Sequence, residues 1–166
     1  LMRAEQIKKK QPPRYDGRYR DLDPAEAERR AASGEPFVIR FKMPKSGKVT
    51  AHDTVYGDIN LNYAEQDDHI IIKSDGLPTY HFACVVDDHL MKISHVIRGQ
   101  EWISSWPRHI ATYDAFGWEM PQFTHVPLIF GPDKTKLSKR HGAKTVLAYK
   151  EEGLLPEAVV NYLVFL

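Results

Sequence analysis

Between residues 69 and 130 short apolar runs alternate with segments long enough for helices, and this rhythm limits the fold more than any other feature. HIIIK (69–73) reads as a short strand and SDGLP stops it with turn residues. Thr79 to Lys92 follows with Phe82, Val85, Val86 and His89 at roughly helical spacing. ISHVIRG (93–99) is mostly apolar and ends in glycine, as buried parallel strands do. Glu101 to Phe116 is amphipathic through Trp102, Trp106, Ile110 and Tyr113, and Gly117 closes it. HVPLIF (125–130) reads as another buried strand. Helix and strand in such quick succession predict a parallel α/β layer.

Upstream the pattern differs. LMRAEQIKKK reads as the end of a helix rather than the start of a protein, so a piece of a longer chain is expected. Asp23 can cap a helix whose first position is Pro24, with Glu26 three residues beyond the cap. Gly34 ends that helix and Pro36 prevents its continuation. FVIRFKM (37–43) alternates Phe37, Ile39, Phe41 and Met43 against Val38, Arg40 and Lys42, the period of a half-buried strand. Two more strands near 49–56 and 58–63 predict an antiparallel meander.

Composition removes several classes. With 166 residues, 42% hydrophobic and 27% charged, the chain can bury a core and is neither disordered nor fibrous. No run approaches the ~18 apolar residues of a membrane helix. Cys84 is the single cysteine, which excludes an internal disulfide framework and any multi-cysteine zinc or iron–sulfur site, and points to an intracellular setting. A net charge of +1 gives no global basic field. The first twenty residues nevertheless carry Arg3, Lys8, Lys9, Lys10, Arg14, Arg18 and Arg20 against Glu5 and Asp16, either a solvated terminus or a phosphate-facing patch.

In open α/β sheets ligands bind beyond the carboxyl ends of the strands. Two such ends are Arg98-Gly99-Gln100-Glu101 and Phe130-Gly131-Pro132. After the second comes a polar loop with Lys134, Lys136, Lys139, Arg140 and Lys144, cations suited to phosphoryl oxygens.

The run KLSKR (136–140) resembles the KMSKS loop of class I aminoacyl-tRNA synthetases. SDGLPTYHFACVVDDHLMKISHVIRGQEW and PLIFGPDKTKLSKRHGA resemble glutamyl-tRNA synthetases, in the same order along the chain. PPRYDGRYRDL and VIRFKMP with DTVYGDI resemble the insert of that family that grips the tRNA acceptor end. The likeness covers essentially the whole chain. It implies an α/β fold: the second half of a Rossmann-like nucleotide-binding fold, preceded by a mixed α+β acceptor-binding insert. The expected segments are 1–75 for the insert, 76–133 for the nucleotide-binding half, and 134–166 for the KMSKS-like loop and the start of a helical stem-contact region.

Roles follow by position. The resemblance makes Arg98 the partner of the substrate side-chain carboxylate and places Tyr80 in the same pocket. Cys84 stands in that pocket where the family often has asparagine. Glu101 and Trp102 fall on the nucleotide side, and Leu128 and Ile129 on the strand end whose backbone meets adenine. Lys136 and Lys139 match the catalytic lysines of the ATP loop, with Leu137, Ser138 and Arg140 around them. Arg40 and Lys42 are the candidate tRNA contacts. The implied ligands are ATP with Mg2+, glutamate and glutamate tRNA, with no bound zinc and no membrane. The implied setting is a monomer in the cytoplasm, or in a mitochondrial or plastid matrix. The family's HIGH motif is expected upstream and its anticodon-binding region downstream, so this chain by itself is expected to be inactive.

Rival readings stay open at this point. Asp87, Asp88, His89 and His95 could ligate a metal, but adjacent aspartates on a helix point about 100° apart. A glutaminyl-type tRNA synthetase on the same fold and a non-catalytic tRNA-binding module are the others. His52, His69, His109 and His125 show no partner spacing and are assigned to core or surface positions without a functional role. His81, beside Tyr80, is kept as a pocket candidate, and His141, after the loop, as a phosphate contact.

Overall fold

One four-stranded sheet organises the computed structural model, which describes residues 2–10, 14–131, 134–136 and 145–165. Its strands are β2 (Lys48–Asp53), β3 (Gly57–Asn62), β5 (His95–Gly99) and β6 (Gln122–Val126), in the order β3-β2-β6-β5. β5 and β6 run parallel, with Arg98 beside His125 and Val96 beside Phe123. β2 meets β6 in parallel at Asp53 and Phe123, and β2 and β3 form an antiparallel hairpin. The expected meander goes no further, because the strand before them pairs with a different partner in a separate sheet. The hairpin of the first 75 residues therefore shares its sheet with the strands that follow. A separate two-stranded ribbon joins β1 (Ile39–Arg40) to β4 (Ile70–Ile72).

α4 (Trp106–Phe116) packs on the sheet through Trp106 and Ile110, and α3 (Tyr80–Leu90) packs against α4. α4 buries Trp106, Ile110 and Tyr113, three residues of the stripe expected from the sequence. Ala51, Leu61, Trp106, Ile110 and Phe123 form the core, each large side chain worth roughly 2–3 kcal/mol of burial. α1 (Met2–Lys8) and α2 (Pro24–Ala32) precede the sheet, and α5 (Val146–Glu151) and α6 (Pro156–Val164) close the described chain. Asp23 caps α2 by accepting from the N–H of Glu26 at 3.1 Å, as its sequence pattern predicts. Among the described residues no helix is long and apolar enough to cross a membrane.

The structure departs from the expected elements in four places. The strand expected over 37–43 shrinks to Ile39–Arg40, because its partner β4 has three residues and the register shifts between Ile39 and Arg40. Phe37 and Ile39 are exposed, and Met43 is the one residue of that stripe that is fully buried. The strand expected over 125–130 lies earlier, at Gln122–Val126, because Pro127 has no N–H for the ladder. β5 is an edge strand rather than a buried one, and Ile97 is 71% exposed. The helix expected from Glu101 splits into a 3-10 segment, Gln100–Ser105, and α4, whose first turn holds Pro107. Gly117 ends α4 in a left-handed conformation at φ 65°.

The aromatic and basic run near the N-terminus is tied down by acids. Arg20 pairs with Asp68 and donates to the carbonyl of Met43 at 2.8 Å. Arg18 pairs with Asp16, so neither arginine projects as a lone cation.

Candidate functional site

Arg98 sits at the carboxyl end of β5, and the parallel register sets it against His125 on β6. Its Nε donates to Nε2 of His125 at 2.9 Å, and its Nη1 donates to Nδ1 of His109 on α4 at 3.1 Å. The guanidinium carbon stands 4.9 Å from the centre of the Phe123 ring. Nη2 is buried and makes no hydrogen bond, and among the described residues the guanidinium forms no ion pair. Burial lowers the pKa of Arg98 from its ordinary value, although arginine stays charged at any physiological pH.

Behind Arg98 lies a layer of hydrogen-bonded groups. His125 is fully buried, and Asp53 Oδ2 accepts from its ring Nδ1 at 2.7 Å and from its backbone N–H at 2.9 Å. Asp53 Oδ1 accepts from the N–H groups of Val55 and Tyr56, which folds the turn after β2. Burial would raise the Asp53 pKa, but these bonds from Tyr56, His125 and Val55 outweigh it and hold the carboxyl below its ordinary value. On the helix side His109 Nε2 lies 3.0 Å from Nδ1 of His81 and 3.9 Å from Sγ of Cys84. Burial, aided by the charge of Arg98, pushes His109 down to about 3. Burial pushes the Cys84 thiol up to about 11, so it is no nucleophile.

Tyr80, His81 and Trp102 form the open rim of this cluster. The rings of Tyr80 and Trp102 are 5.2 Å apart and those of His81 and Trp102 5.9 Å apart, edge to face. Tyr80 is 59% exposed, a surface free to meet a ligand. Glu101 follows on the 3-10 segment, and its carboxylate accepts from Nζ of Lys136 at 2.5 Å. Lys136 also bridges Phe130 in backbone pairing. Leu128 and Ile129 are half-buried in the irregular stretch after β6. The structure thus gathers Arg98, Cys84, Tyr80 and Trp102 around one wall, with Glu101 and Lys136 beside it.

Other expected residues stand elsewhere. Arg40 donates to the carbonyl of Asp68 at 2.7 Å and lies 4.0 Å over the ring of Tyr15. It lines a cavity of about 290 Å³ with Tyr15, His69, His81 and Arg108. Lys42 is exposed and 3.8 Å from Asp21. Leu137, Ser138, Lys139 and Arg140 lie outside the described residues, as do His141 and Lys144. His89 stacks on Trp118 at 3.9 Å, and His95 Nδ1 meets the hydroxyl of Ser94 at 3.0 Å. Among the described residues no group of three or more His, Cys, Asp or Glu is assembled to hold a metal ion.

The sequence reading missed Asp53, His109 and His125 as parts of this cluster. His125 and His109 are buried, as packing residues are, but their ring nitrogens are engaged with Arg98.

All 166 residues match the model of the class I tRNA synthetases for glutamate and glutamine, catalytic domain. This chain belongs to that family. It is 51% identical over 162 residues to a glutamate–tRNA ligase of Psychrobacter, which covers 98% of this chain and 32% of that protein. It is 51% identical over 166 residues to the glutamate–tRNA ligase of Coprothermobacter proteolyticus, covering 99% of this chain and 36% of the other. Among solved structures, a glutamate–tRNA ligase of Elizabethkingia meningosepticum in complex with its amino acid superposes with a TM-score of 0.81 at 38% identity. That match covers 97% of this chain and 37% of the other. The chain therefore spans about a third of the length of the curated relatives it matches. The synthetase family's α/β architecture accounts for the parallel β5–β6 pair with its helices.

Proposed function

We propose that this chain is the amino-acid and nucleotide wall of a glutamate–tRNA ligase. The whole protein joins glutamate to ATP as glutamyl-adenylate, then transfers the glutamyl group to the 3′ end of a glutamate tRNA. The observation that carries this reading is Arg98, a half-buried cation whose Nη2 makes no hydrogen bond and whose guanidinium forms no ion pair among the described residues. A desolvated guanidinium without a carboxylate is costly to keep, and a ligand carboxylate is what would complete it. The amide of glutamine would turn N–H donors toward a group that only donates, so glutamate is the better fit.

The chemistry needs no covalent intermediate on the protein. A substrate carboxylate oxygen attacks the α-phosphorus, pyrophosphate leaves with the electron pair of the broken bond, and negative charge grows on the phosphoryl oxygens. Lys136, now held by Glu101, and Lys139 are proposed to meet that charge. Magnesium comes with the triphosphate as a substrate complex. Tyr80 and Trp102 close the rim, Leu128 and Ile129 face adenine with their backbone, and Arg40 and Lys42 contact the acceptor end of the tRNA. The reaction belongs where tRNA is charged, in cytoplasm or an organelle matrix.

Exchange of pyrophosphate into ATP by the complete protein, with tRNA present, tests this reading. Exchange driven by glutamate and not by glutamine supports it. Exchange driven by glutamine overturns the role of Arg98, and exchange with neither overturns the activity.

A further inference from the structure

Arginine carries five N–H donors and no acceptor, so every group it bonds must accept. His125 Nε2, at 2.9 Å from Arg98 Nε, therefore carries no proton. Its other nitrogen is 2.7 Å from the Asp53 carboxylate, so the proton of His125 is on Nδ1. The same logic fixes His109. Its Nδ1 accepts from Arg98 Nη1, which leaves its proton on Nε2, directed at Nδ1 of His81. Hydrogen bonds thus run outward from the guanidinium to the two histidines, each neutral and of opposite tautomer, and on to Asp53 and His81.

We infer that His125 and His109 are positioning residues that clamp Arg98 by its Nε–H and Nη1–H and leave its Nη2 end for the side-chain carboxylate of the substrate. This rests on the reading of Arg98 given above. Both histidines come from parts of the fold that Arg98 does not share, His125 from the neighbouring strand and His109 from α4. A guanidinium on a flexible stem would otherwise sample many orientations, and binding would have to fix them. Asp53 sets the tautomer of His125, so an acid that touches no ligand decides whether Arg98 finds an acceptor or a clashing N–H. From α3 the Asp88 carboxyl acts on Arg98 through its charge, while the Cys84 thiol stays neutral.

Two measurements on the complete protein test the clamp. Ring 15N resonances of labelled histidine should show His125 protonated at Nδ1 and His109 at Nε2, both neutral near neutral pH. An Nε2–H form of His125, or a charged His109, overturns the clamp whatever the enzyme does. The second measurement is the glutamate dependence of pyrophosphate exchange. His109→Leu should raise the KM for glutamate about tenfold or more while leaving that for ATP unchanged. His109→Asn, which keeps an oxygen acceptor near the place of Nδ1, should recover most of the loss, to within about threefold of the parent. Equal glutamate KM in parent, Leu and Asn proteins overturns the positioning role, as does an equal loss in both variants. If the parent shows no glutamate-driven exchange, the enzymatic reading fails, and the tautomers still decide the clamp. If His109→Leu fails to fold, His109→Asn and the resonances carry the test.

Discussion

Asp53 and His125 stand 72 positions apart, yet one carboxylate oxygen of Asp53 accepts both the backbone N–H of His125 at 2.9 Å and its ring N–H at 2.7 Å. The same carboxylate closes the β2–β3 turn through Val55 and Tyr56. A single fully buried side chain therefore ties a hairpin to a parallel strand and orients an imidazole behind Arg98.

Asp53→Ala should be severely destabilising. It strips acceptors from three backbone N–H groups and from a buried ring. The expected loss is about 3–5 kcal/mol, read as a lower urea midpoint at constant m-value. A loss under about 1 kcal/mol would mean that the turn and the ring find other partners.

Stability should fall as pH drops from about 6.5 toward 4. In the unfolded chain imidazoles take up protons near pH 6.5, whereas burial holds His109 down to about 3 and His69 down to about 4. The unfolded state binds more protons across that window, so stability rises with pH within it and is lost on acidification. Asp53 adds to the loss at the acid end, because its folded carboxyl titrates below its unfolded one. Each pKa unit is worth about 1.4 kcal/mol, so His69 contributes on the order of 3 kcal/mol between neutral pH and its own titration. His69 packs on Phe41 with ring centres 5.7 Å apart, so His69→Phe keeps an aromatic ring and removes the titrating group. Urea midpoints taken from about pH 7 to about pH 4.5 should slope downward in the parent and less in His69→Phe. Parallel slopes would remove His69 from the account.

Local patterning made the helices legible and the site only in part. Asp23, Pro24 and Gly34 mark α2, and Trp106, Ile110 and Tyr113 mark the buried face of α4, because caps and periodicity are written within one element. Pro127 and Pro107 show where the reading of element ends fails: each lacks an N–H and moves a boundary that apolar content places elsewhere. FVIRFKM has strand period, but a strand needs a partner of equal length, and β4 does not supply one. Arg98, Tyr80 and Trp102 were legible through motif likeness. Asp53, His109 and His125 were not, because their meaning lies in register between β2, β6 and α4, which no local pattern states.

Gly99→Ala should leave the fold intact and disturb the Glu101–Lys136 pair. A Cβ built on Gly99 would lie 2.1 Å from the Glu101 carboxylate, the far end of a flexible side chain that can swing away. The pair is exposed, so losing it should shift stability by less than about 1 kcal/mol. Freed from Glu101, Lys136 should be more available to phosphate, and the KM for ATP should change while that for glutamate holds. A thermal midpoint several degrees lower would show that Gly99 serves packing instead.

Arg98→Lys separates charge from geometry. Lysine keeps a cation at the end of β5, but a single ammonium cannot donate to His125 and His109 and still present a planar edge to a carboxylate. The folded state should survive, since the lysine stem covers the same ring of Phe123 and the ammonium can reach one of the two histidines. The KM for glutamate in pyrophosphate exchange should rise on the order of a hundredfold, the weight of lost charge-assisted bonds, with the KM for ATP held. Glutamine should gain relative to glutamate, because an ammonium is indifferent to the planar difference between carboxylate and amide. An unchanged glutamate KM would place the carboxylate partner on another residue, and a rise shared equally by ATP would mean that Arg98 shapes the whole wall rather than one end of the amino acid.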